Sequence, residues 1–239
     1  MPQLVALDLP GGADFVNVLQ QIWDAGDAAL PIDQRLDTNQ RAALVNAMHS
    51  GAVIDASGRH TLDGGHSTEP GDALVMATSG STGAPKGVVL THTAIAASAA
   101  ATSARLGVAA DDHWLACLPL SHVGGLSVVT RALHSGTALT VLPRFDADAV
   151  TVAAAAGATL TSLVATALAR IDPSIFRLIV LGGARPPDNR PSNTVTTYGL
   201  TETGSGVVYD GIPLDGVEVE VHGGAGRVAL DAERQRLGG

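Results

Sequence analysis

The residues best suited to chemistry lie in one short run, Thr78 to Gly87, with the sequence T-S-G-S-T-G-A-P-K-G. The run includes Lys86, the one lysine in the 239 residues. Glycines let successive backbone amides turn toward an anion, hydroxyls add donors, and an ammonium group suits terminal phosphates. The run therefore predicts a cradle for a triphosphate, although its composition alone favours a surface turn with a solvated lysine.

Two common nucleotide-binding motifs do not fit this sequence. The P-loop requires Gly directly before its lysine and Ser or Thr directly after it, whereas Lys86 stands between Pro85 and Gly87. Gly224 to Gly226 superficially matches the dinucleotide fingerprint. However, Arg227 to Leu230 is predicted as a strand, where the fingerprint needs a helix. Neither motif supports a nucleotide site elsewhere in the chain.

Composition limits the possible partners. Hydrophobic residues make up 46% of the chain, which is enough for a packed core. Only 15% of residues are charged and the formal net charge is -9, so no positive field would gather nucleic acid or anionic lipid. Nucleic acid is therefore not an expected partner. Cys117 is the only cysteine, which rules out an internal disulfide and suits a reducing compartment.

No targeting or membrane segment is predicted. Met1 to Gly12 lacks a basic region followed by an apolar run, so no secretory signal is expected. Ala149 to Ala169 is uncharged and about as long as a membrane-spanning helix. Its Thr and Ala content and its interruption at Gly157 instead favour helix, turn, strand and helix. The cytoplasm is the expected location.

The first part of the chain, residues 1–65, is predicted to be a short helical N-terminal subdomain. Apolar residues recur at helical spacing from Phe15 to Trp23, and a second helix is expected from Thr38 to Met48. The polar, aperiodic segment from Gly58 to Asp72 is predicted to be a loop or junction.

Residues 66–239 are predicted to form an α/β region. Short apolar runs alternate with Ala-rich or amphipathic stretches, which favours a largely parallel sheet covered by helices on both faces. The expected strands are Ala73–Ala77, Trp114–Leu118, Ala138–Leu142, Thr159–Leu163 and Arg177–Leu181. Helices are expected at Thr93–Leu106, Leu126–Leu133 and Ala147–Ala156, with another ending at Ile171. The alternating segment from Val217 to His222 and the run from Arg227 to Leu230 predict a terminal β-hairpin.

The run around Lys86 closely resembles the phosphate-binding loop of the adenylate-forming superfamily, [S/T]-S-G-[S/T]-T-G-x-P-K-G. This superfamily includes acyl-CoA synthetases, the adenylation domains of peptide synthetases, and luciferases. V-V-L-T-H at Val88 to His92 continues the resemblance. The resemblance implies that ATP is bound by Thr78, Ser79, Gly80, Ser81, Thr82, Gly83 and Lys86, and that Thr78 also lies at the Mg²⁺.

Further motifs follow in the family's order. L-P-L-S-H-V-G-G-L resembles the segment whose histidine gates the acyl pocket, which implies that His122 lies beside the substrate carboxylate. The turn with Gly182, Gly183 and Ala184 resembles the one that lies against the adenine and the acyl channel. Taken singly, His122 would more often be an ordinary loop histidine.

Y-G-L-T-E-T, beginning at Tyr198, matches the family's Y-G-x-T-E motif. The resemblance implies that Tyr198 stacks on adenine beside Gly199, that Thr201 donates to the α-phosphate, and that Glu202 binds Mg²⁺. Without this context, Tyr198 would more often be a core residue and Glu202 a surface acid. Gly211 to Glu218 resembles the later G-x-P-x-x-G-V-E segment, so the resemblance extends from Ala73 to about Val221.

Together the motifs imply ATP-dependent activation of a small-molecule carboxylic acid to an acyl adenylate, followed by thioester formation with coenzyme A. The fold implied is the layered αβαβα large domain of adenylate-forming enzymes. The catalytic residues implied are Lys86, His122, Thr201 and Glu202, with ATP, Mg²⁺ and coenzyme A as cofactors. The leader and V-Y-D-G-I-P-L-D-G-V also resemble compact o-succinylbenzoate-CoA ligases, while the leader additionally resembles unassigned acyl-CoA synthetases.

The sequence departs from the family in four ways. No T-G-D segment for the ribose follows Val221, and no small C-terminal domain with its catalytic lysine is recognised. The segment between Gly183 and Tyr198 lacks the usual helical pattern, and the final D-A-E-R-Q-R-L-G-G is unlike the expected continuation. We therefore expect an incomplete or weak ligase, whose C-terminal domain is either a separate chain or has been deleted. The alternatives are a nucleotide- or acyl-adenylate-binding module without full catalysis, or an unrelated α/β protein. The acid and the oligomeric state are left open.

Overall fold

The computed structural model describes residues 1–79, 85–222 and 225–230, which form two large β-sheets, a two-stranded sheet and six α-helices. The helices are α1 (Ala13–Asp24), α2 (Thr38–Ala47), α3 (His92–Leu106), α4 (Val123–Ser135), α5 (Ala147–Ala155) and α6 (Ala165–Leu168). The first strands are β1 (Leu4–Leu7), β2 (Ala28–Pro31), β3 (Ala52–Asp55), β4 (Gly58–Thr61), β5 (Asp72–Ser79), β6 (Pro85–Thr91), β7 (His113–Ala116) and β8 (Ala138–Val141). The later strands are β9 (Leu160–Val164), β10 (Leu178–Gly182), β11 (Thr194–Gly199), β12 (Gly206–Tyr209), β13 (Ile212–Pro213), β14 (Val217–His222) and β15 (Ala225–Leu230).

The first sheet has six strands in the order β4-β3-β1-β2-β5-β6. Its central pairs, β3 with β1, β1 with β2 and β2 with β5, are parallel, whereas β3–β4 and β5–β6 are antiparallel hairpins at the two edges. Every residue of β1 and β2 is buried. Continuous apolar strands of this kind are typical of parallel sheets that are covered on both faces.

The second sheet has seven strands in the order β13-β12-β11-β10-β9-β7-β8. The run from β11 to β8 is parallel throughout, and β12 and β13 add two antiparallel strands at the β11 edge. The carboxyl ends of β7, β9, β10 and β11 therefore meet at one edge of the sheet. Open α/β sheets characteristically bind ligands at that edge.

One hydrophobic core joins the two sheets through α3 and α4. It includes Val5 and Leu7 of the first sheet, Trp114 and Val180 of the second, and Leu126 of α4. Residues 125–132 of α4 are all buried. A helix buried on every side belongs inside a layered domain rather than on its surface.

The helix ends follow local sequence signals. Asp37 and Gln40 form a reciprocal capping box at the start of α2, and the Thr91 hydroxyl accepts from the Ala94 amide at the start of α3. Gly107, in a left-handed conformation, ends α3. In contrast, α4 begins after His122 with no side-chain cap. The first amides of α4 are therefore left without a side-chain acceptor.

The fold class expected from the sequence is confirmed: two largely parallel sheets are flanked by helices, and β14 and β15 form the terminal hairpin. The helices expected in residues 1–65 are present as α1 and α2. The expectation that this region is only helical was wrong, because β1 to β4 also lie there and join β5 and β6 in one sheet. The strands β1 and β2 are short runs that are buried throughout, and periodicity alone does not distinguish such a run from a buried helix segment. A domain boundary near residue 65 stays a prediction.

Two further boundaries are corrected. The polar segment from Gly58 to Asp72, expected to be a loop, begins with β4, which pairs with β3 through backbone hydrogen bonds. The segment from Pro85 to Thr91 forms β6, which places Lys86 and Gly87 on a strand rather than in a loop. Backbone pairing formed both strands where the side-chain pattern did not indicate them.

The uncharged stretch from Ala149 to Ala169 folds as most of α5, then β9 and α6. Across the described residues, no helix combines the length and apolar character that a membrane crossing requires.

Asp112 ties the start of β7 to two distant segments. Its carboxylate accepts hydrogen bonds from the Ala109 amide at 2.8 Å, from the Thr159 hydroxyl at 2.8 Å and from both Nε and Nη2 of Arg177. Burial raises the pKa of Asp112, but the hydrogen bonds from Arg177, Ala109 and Thr159 outweigh burial, so the pKa lies below its ordinary value.

We expect Asp112→Ala to lower the free energy of unfolding by about 2 kcal/mol at neutral pH, because it leaves several donors unpaired. Asp111→Ala, at the exposed neighbouring position, serves as the control. Urea unfolding of both variants measures the difference. Because the folded-state pKa of Asp112 is lowered, the wild-type advantage is present above its ordinary pKa of 3.8 and is lost as the pH falls below that value. Equal stability of the two variants at pH 7 would contradict this assignment.

Candidate functional site

A cavity of about 430 Å³ lies at the carboxyl ends of the parallel strands of the second sheet. Its walls come from the segment after β7, from α4, from β9, β10 and β11, from the start of β12 and from Arg35. The polar groups that line it are Arg35, His122, Ser127, Arg131, Ser162, Thr197 and Ser205. Gly182, Gly183, Gly199 and Gly206 form part of the wall. This is the edge at which an α/β sheet is expected to bind a ligand.

The residues of the predicted phosphate loop are only partly described. Thr78 and Lys86 face each other across the β5–β6 hairpin, and the Thr78 hydroxyl donates to the Lys86 carbonyl oxygen at 3.2 Å. Ser79 pairs with Pro85 in the same ladder. Gly80, Ser81, Thr82 and Gly83 lie outside the described residues. The Lys86 side chain is exposed at the end of the hairpin.

The Y-G-x-T-E segment lies next to this hairpin. Tyr198 and Gly199 end β11, and Thr201 and Glu202 belong to a 3-10 turn, Thr201–Thr203, that contacts β6. Tyr198 is 49% exposed and Glu202 is exposed, so neither is a core residue. The fold thus brings the strand that carries Lys86 and the turn that carries Thr201 and Glu202 into contact, although they are far apart in sequence.

Glycines allow β11 and β12 to approach closely beside the cavity. A Cβ at Gly199 would lie 2.2 Å from the Ser205 carbonyl oxygen, and one at Gly206 would lie 1.8 Å from the Thr197 hydroxyl. The register between the two strands shifts between Tyr198 and Gly199. The glycine of the motif is therefore required by backbone packing as well as by any ligand.

His122 lies at the mouth of the cavity and contacts the N-terminal part of the chain. Its Nε2 is 2.7 Å from Nη2 of Arg35, and Arg35 in turn binds Asp33 through Nε at 2.9 Å and Nη2 at 2.5 Å. Hydrogen bonds from Arg35 lower the pKa of Asp33 to about 2, against the opposing effect of burial. The hydrogen bond to Asp33 raises the pKa of Arg35. Both groups of the pair therefore stay charged at neutral pH.

Arg131 lies inside the cavity wall and is 3% exposed. Its Nη2 donates to the Ser127 hydroxyl at 2.7 Å and to the Ser205 hydroxyl at 3.3 Å, and its guanidinium carbon lies 5.0 Å from the centre of the Trp114 ring. Among the described residues, none accepts a hydrogen bond from Nε or Nη1. Burial lowers the pKa of Arg131, but a guanidinium remains charged in proteins. A buried cation with two free donors favours an anionic ligand.

The hydroxyls of Ser162 and Thr197 also lack partners in the part of the chain that the structure describes. Both line the cavity with Arg131. Unpaired buried hydroxyls gathered around a cation extend the polar region into which a ligand could bind.

The sequence predicted some of these residues and missed others. His122, Gly182, Gly183 and Gly199 line the cavity as one set. The neighbouring β5–β6 hairpin carries Thr78 and Lys86, the end of β11 carries Tyr198, and the following turn carries Thr201 and Glu202. Ala184 follows β10 in an exposed loop. Arg35 and Arg131 were not predicted. Arg131 carried one signal, a basic residue in an otherwise apolar helix, whereas Arg35 carried none.

Residues 65–234 match the model of the AMP-binding enzyme family, and the chain belongs to this family. The resemblance to adenylate-forming enzymes inferred from the motifs is thereby confirmed.

A probable 2-succinylbenzoate–CoA ligase of Mycobacterium tuberculosis (strain ATCC 25618 / H37Rv) is 35% identical to this chain, in an alignment that covers 94% of the chain. The chain spans 60% of that relative's length.

Two solved structures of o-succinylbenzoate coenzyme A synthetase (MenE) from Bacillus subtilis share the fold. The complex with AMP aligns with a TM-score of 0.80 at 26% identity, covering 92% of this chain and 70% of the other. The complex with the acyl-adenylate intermediate OSB-AMP aligns with a TM-score of 0.78 at 25% identity, covering 95% and 57%. The layered α/β architecture is therefore that of the MenE large N-terminal domain.

The adjacent glycines of α4 provide a test of the cavity wall. A Cβ at Gly124 would meet no atom within 4 Å, whereas one at Gly125 would lie 2.3 Å from the Pro119 carbonyl oxygen. We expect Gly124→Ala to leave the free energy of unfolding unchanged or to raise it by up to about 1 kcal/mol, because alanine favours the helix. Gly125→Ala should lower it by about 1–3 kcal/mol, because backbone must move. Urea unfolding of the two variants measures the difference. An unchanged free energy of unfolding in Gly125→Ala would show that this part of the cavity wall is placed wrongly.

Proposed function

We propose that this chain forms the nucleotide- and acid-binding part of an acid–thiol ligase, which activates a carboxylic acid with ATP and normally passes the acyl group to coenzyme A. The observation that carries the proposal is the single cavity shared by three of the family's motifs, represented by His122, by Gly182 with Gly183, and by Gly199. The family match and the ligases among its relatives support the same reaction class.

In this proposal the nucleotide lies between the β5–β6 hairpin and the Thr201–Thr203 turn. Lys86 binds the β- and γ-phosphates, Thr201 donates to the α-phosphate, and Tyr198 stacks on the adenine through its exposed ring face. Support comes from the contact between β6 and the turn. Gly182, Gly183 and Ala184 would pass beside the adenine and the acyl group.

The donors present suit Mg²⁺. Glu202 is an exposed carboxylate on the turn that contacts β6, and the Thr78 hydroxyl lies on the adjoining hairpin. Hard oxygen ligands of this kind are the ones that Mg²⁺ prefers. When bound, the ion would neutralise phosphate charge during the transfer.

The chemistry requires no covalent intermediate with the protein. A carboxylate oxygen of the acid attacks the α-phosphorus of ATP, the bond to the bridging oxygen breaks, and pyrophosphate leaves with its electron pair. The protein contributes alignment and charge neutralisation. His122 and the uncapped first turn of α4 lie at the cavity mouth, where their donors could hold the reacting carboxylate.

The acid bound in the cavity is proposed to carry a second anionic group. Arg131 is a buried cation with two free donors in a wall that is otherwise largely apolar, and Ser162 and Thr197 add free hydroxyls. A carboxylate would satisfy both arginine donors at once. The relatives' named substrate, 2-succinylbenzoate, has two carboxylates and fits this arrangement.

Completion of the reaction is assigned to a C-terminal domain that carries a second lysine, supplied either by the remainder of a longer chain or by a separate one. The support is that the chain spans 60% of its relative and contains one lysine. The cytoplasm is the proposed location, because ATP and coenzyme A are available there and a chain with one cysteine suits a reducing compartment.

Acid-dependent ATP–pyrophosphate exchange tests this function. We expect weak exchange with 2-succinylbenzoate, which rises when a lysine-bearing C-terminal domain of a relative is added.

Arg131→Met should raise the apparent Kd for this diacid about 10- to 100-fold while changing benzoate binding little, since each hydrogen bond to a charged group contributes about 1.5–3 kcal/mol. Retained benzoate binding also shows that the variant is folded. ATP binding without exchange, even with the added domain, would favour a nucleotide-binding module over a ligase. If calorimetry detects no heat of binding at millimolar ATP, both the ligase and the binding module are excluded.

Lys86→Ala tests the phosphate site by calorimetry. We expect a much larger loss of affinity for ATP than for an acyl-adenylate analogue, because only ATP has the β- and γ-phosphates that Lys86 is proposed to bind. The loss for ATP should be about ten-fold or more, the effect of one charged hydrogen bond. Arg59→Met, on the far edge of the first sheet, is the control for loss of a surface cation. Equal losses for the two ligands would contradict the assignment.

A further inference from the structure

Arg35 and Asp33 lie beside His122 but belong to no motif of the site. They follow β2 in the first sheet, whereas the cavity is built on the second sheet. Arg35 nevertheless lines the cavity, with its Nη2 2.7 Å from Nε2 of His122. Asp33 binds Arg35 through both carboxylate oxygens, and its Oδ2 lies 3.7 Å from Nε2 of His122, which is too far for a hydrogen bond.

The hydrogen-bonding chemistry of these groups fixes the state of His122. A guanidinium has only donors, so a ring nitrogen in hydrogen-bond contact with Arg35 must accept. In the neutral ring, Nε2 of His122 is therefore the acceptor and Nδ1 carries the proton. A proton on Nε2 would set two donors against each other at 2.7 Å.

We propose that Arg35, oriented by Asp33, is a positioning residue that holds His122 as the neutral Nδ1–H tautomer at the mouth of the acyl cavity. This proposal rests on the proposed function, because it gives His122 one fixed donor, Nδ1–H, for the acid's reacting carboxylate. Asp33 is required because the Arg35 side chain is 65% exposed and would otherwise be free to rotate, while Asp33 is only 16% exposed.

The arrangement also makes the site depend on both sheets. His122 directly precedes α4, and the burial of that helix fixes the backbone of His122. The His122 side chain itself is 57% exposed. Little packing therefore restrains its rotation. The contact with Arg35 supplies that restraint from the N-terminal part of the chain, so loss of Arg35 should weaken acyl recognition without affecting the nucleotide.

Nitrogen NMR of ¹⁵N-histidine-labelled protein tests the tautomer directly. Long-range proton–nitrogen correlations distinguish a protonated Nδ1 from a protonated Nε2, and His122→Gln identifies the His122 signal among the eight histidines. We expect Nδ1–H in the wild type, loss of that preference in Arg35→Met, and its recovery in Arg35→Lys, which keeps a cationic donor. Arg59→Met is the matched control for another half-exposed arginine in an ion pair.

The signals of the other histidines report whether each variant is folded, and Asp33→Asn, which should also weaken the Nδ1–H preference, provides a second variant. A wild-type His122 protonated on Nε2, or an unchanged tautomer in Arg35→Met, overturns the proposal.

Calorimetry separates this proposal from the proposed function. With a sulfamate analogue of 2-succinylbenzoyl adenylate, we expect Arg35→Met to raise the Kd up to about ten-fold, as for one hydrogen bond, while AMP binding stays unchanged. If the wild type does not bind the analogue, the proposed function fails while the tautomer result still stands. If the tautomer changes but the variant binds the analogue as tightly as the wild type, the positioning role is wrong.

Discussion

Burial of helix α4 is the constraint on which the cavity depends. Residues 125–132 of this helix are buried, and the helix contacts α3 and strands β7, β8 and β9. Gly125 is so close to the Pro119 carbonyl that no side chain fits there. The helix can therefore neither slide nor rotate without opening the core. As a result, its first turn and the His122 that precedes it are held at the mouth of the cavity, and Arg131, two turns later, is held in the wall.

Arg131 is the unusual feature of this packing. A buried cation destabilises a domain unless other groups solvate it, and within the described ranges Arg131 receives two serine hydroxyls and the face of Trp114. Ser205 follows the turn that carries Thr201 and Glu202, so the group that orients Arg131 belongs to the segment assigned to the nucleotide. The proposed acid-binding and nucleotide-binding parts of the candidate site are thus connected through Ser205.

The N-terminal strands contribute more than support. Because β1 to β4 form a single sheet with the β5–β6 hairpin, the segment after β2 is carried across to the cavity, where Arg35 meets His122. The same sheet places Lys86 at one edge. The first sheet therefore holds a predicted phosphate-binding group at one point and a contact with the acyl cavity at another.

The sequence by itself determined the family, the α/β class and most of the long helices and strands, because the motifs are long and the apolar periods are clear. The family motif also singled out Gly199 as a binding residue, but only the structure shows that backbone packing requires a glycine there. The sequence missed β1 to β4, β6 and β11 to β13, which are formed by backbone pairing between segments with little pattern of their own.

Only the tertiary structure decided what surrounds each candidate residue. Arg35 and His122 are far apart in the chain, and Arg131 looks like an ordinary basic residue until the burial of α4 is known. Residue type and local spacing determine which chemistry a side chain is capable of. Long-range packing determines which partners it has, and for Arg131 and His122 it is those partners, or their absence, that give the side chain its chemistry.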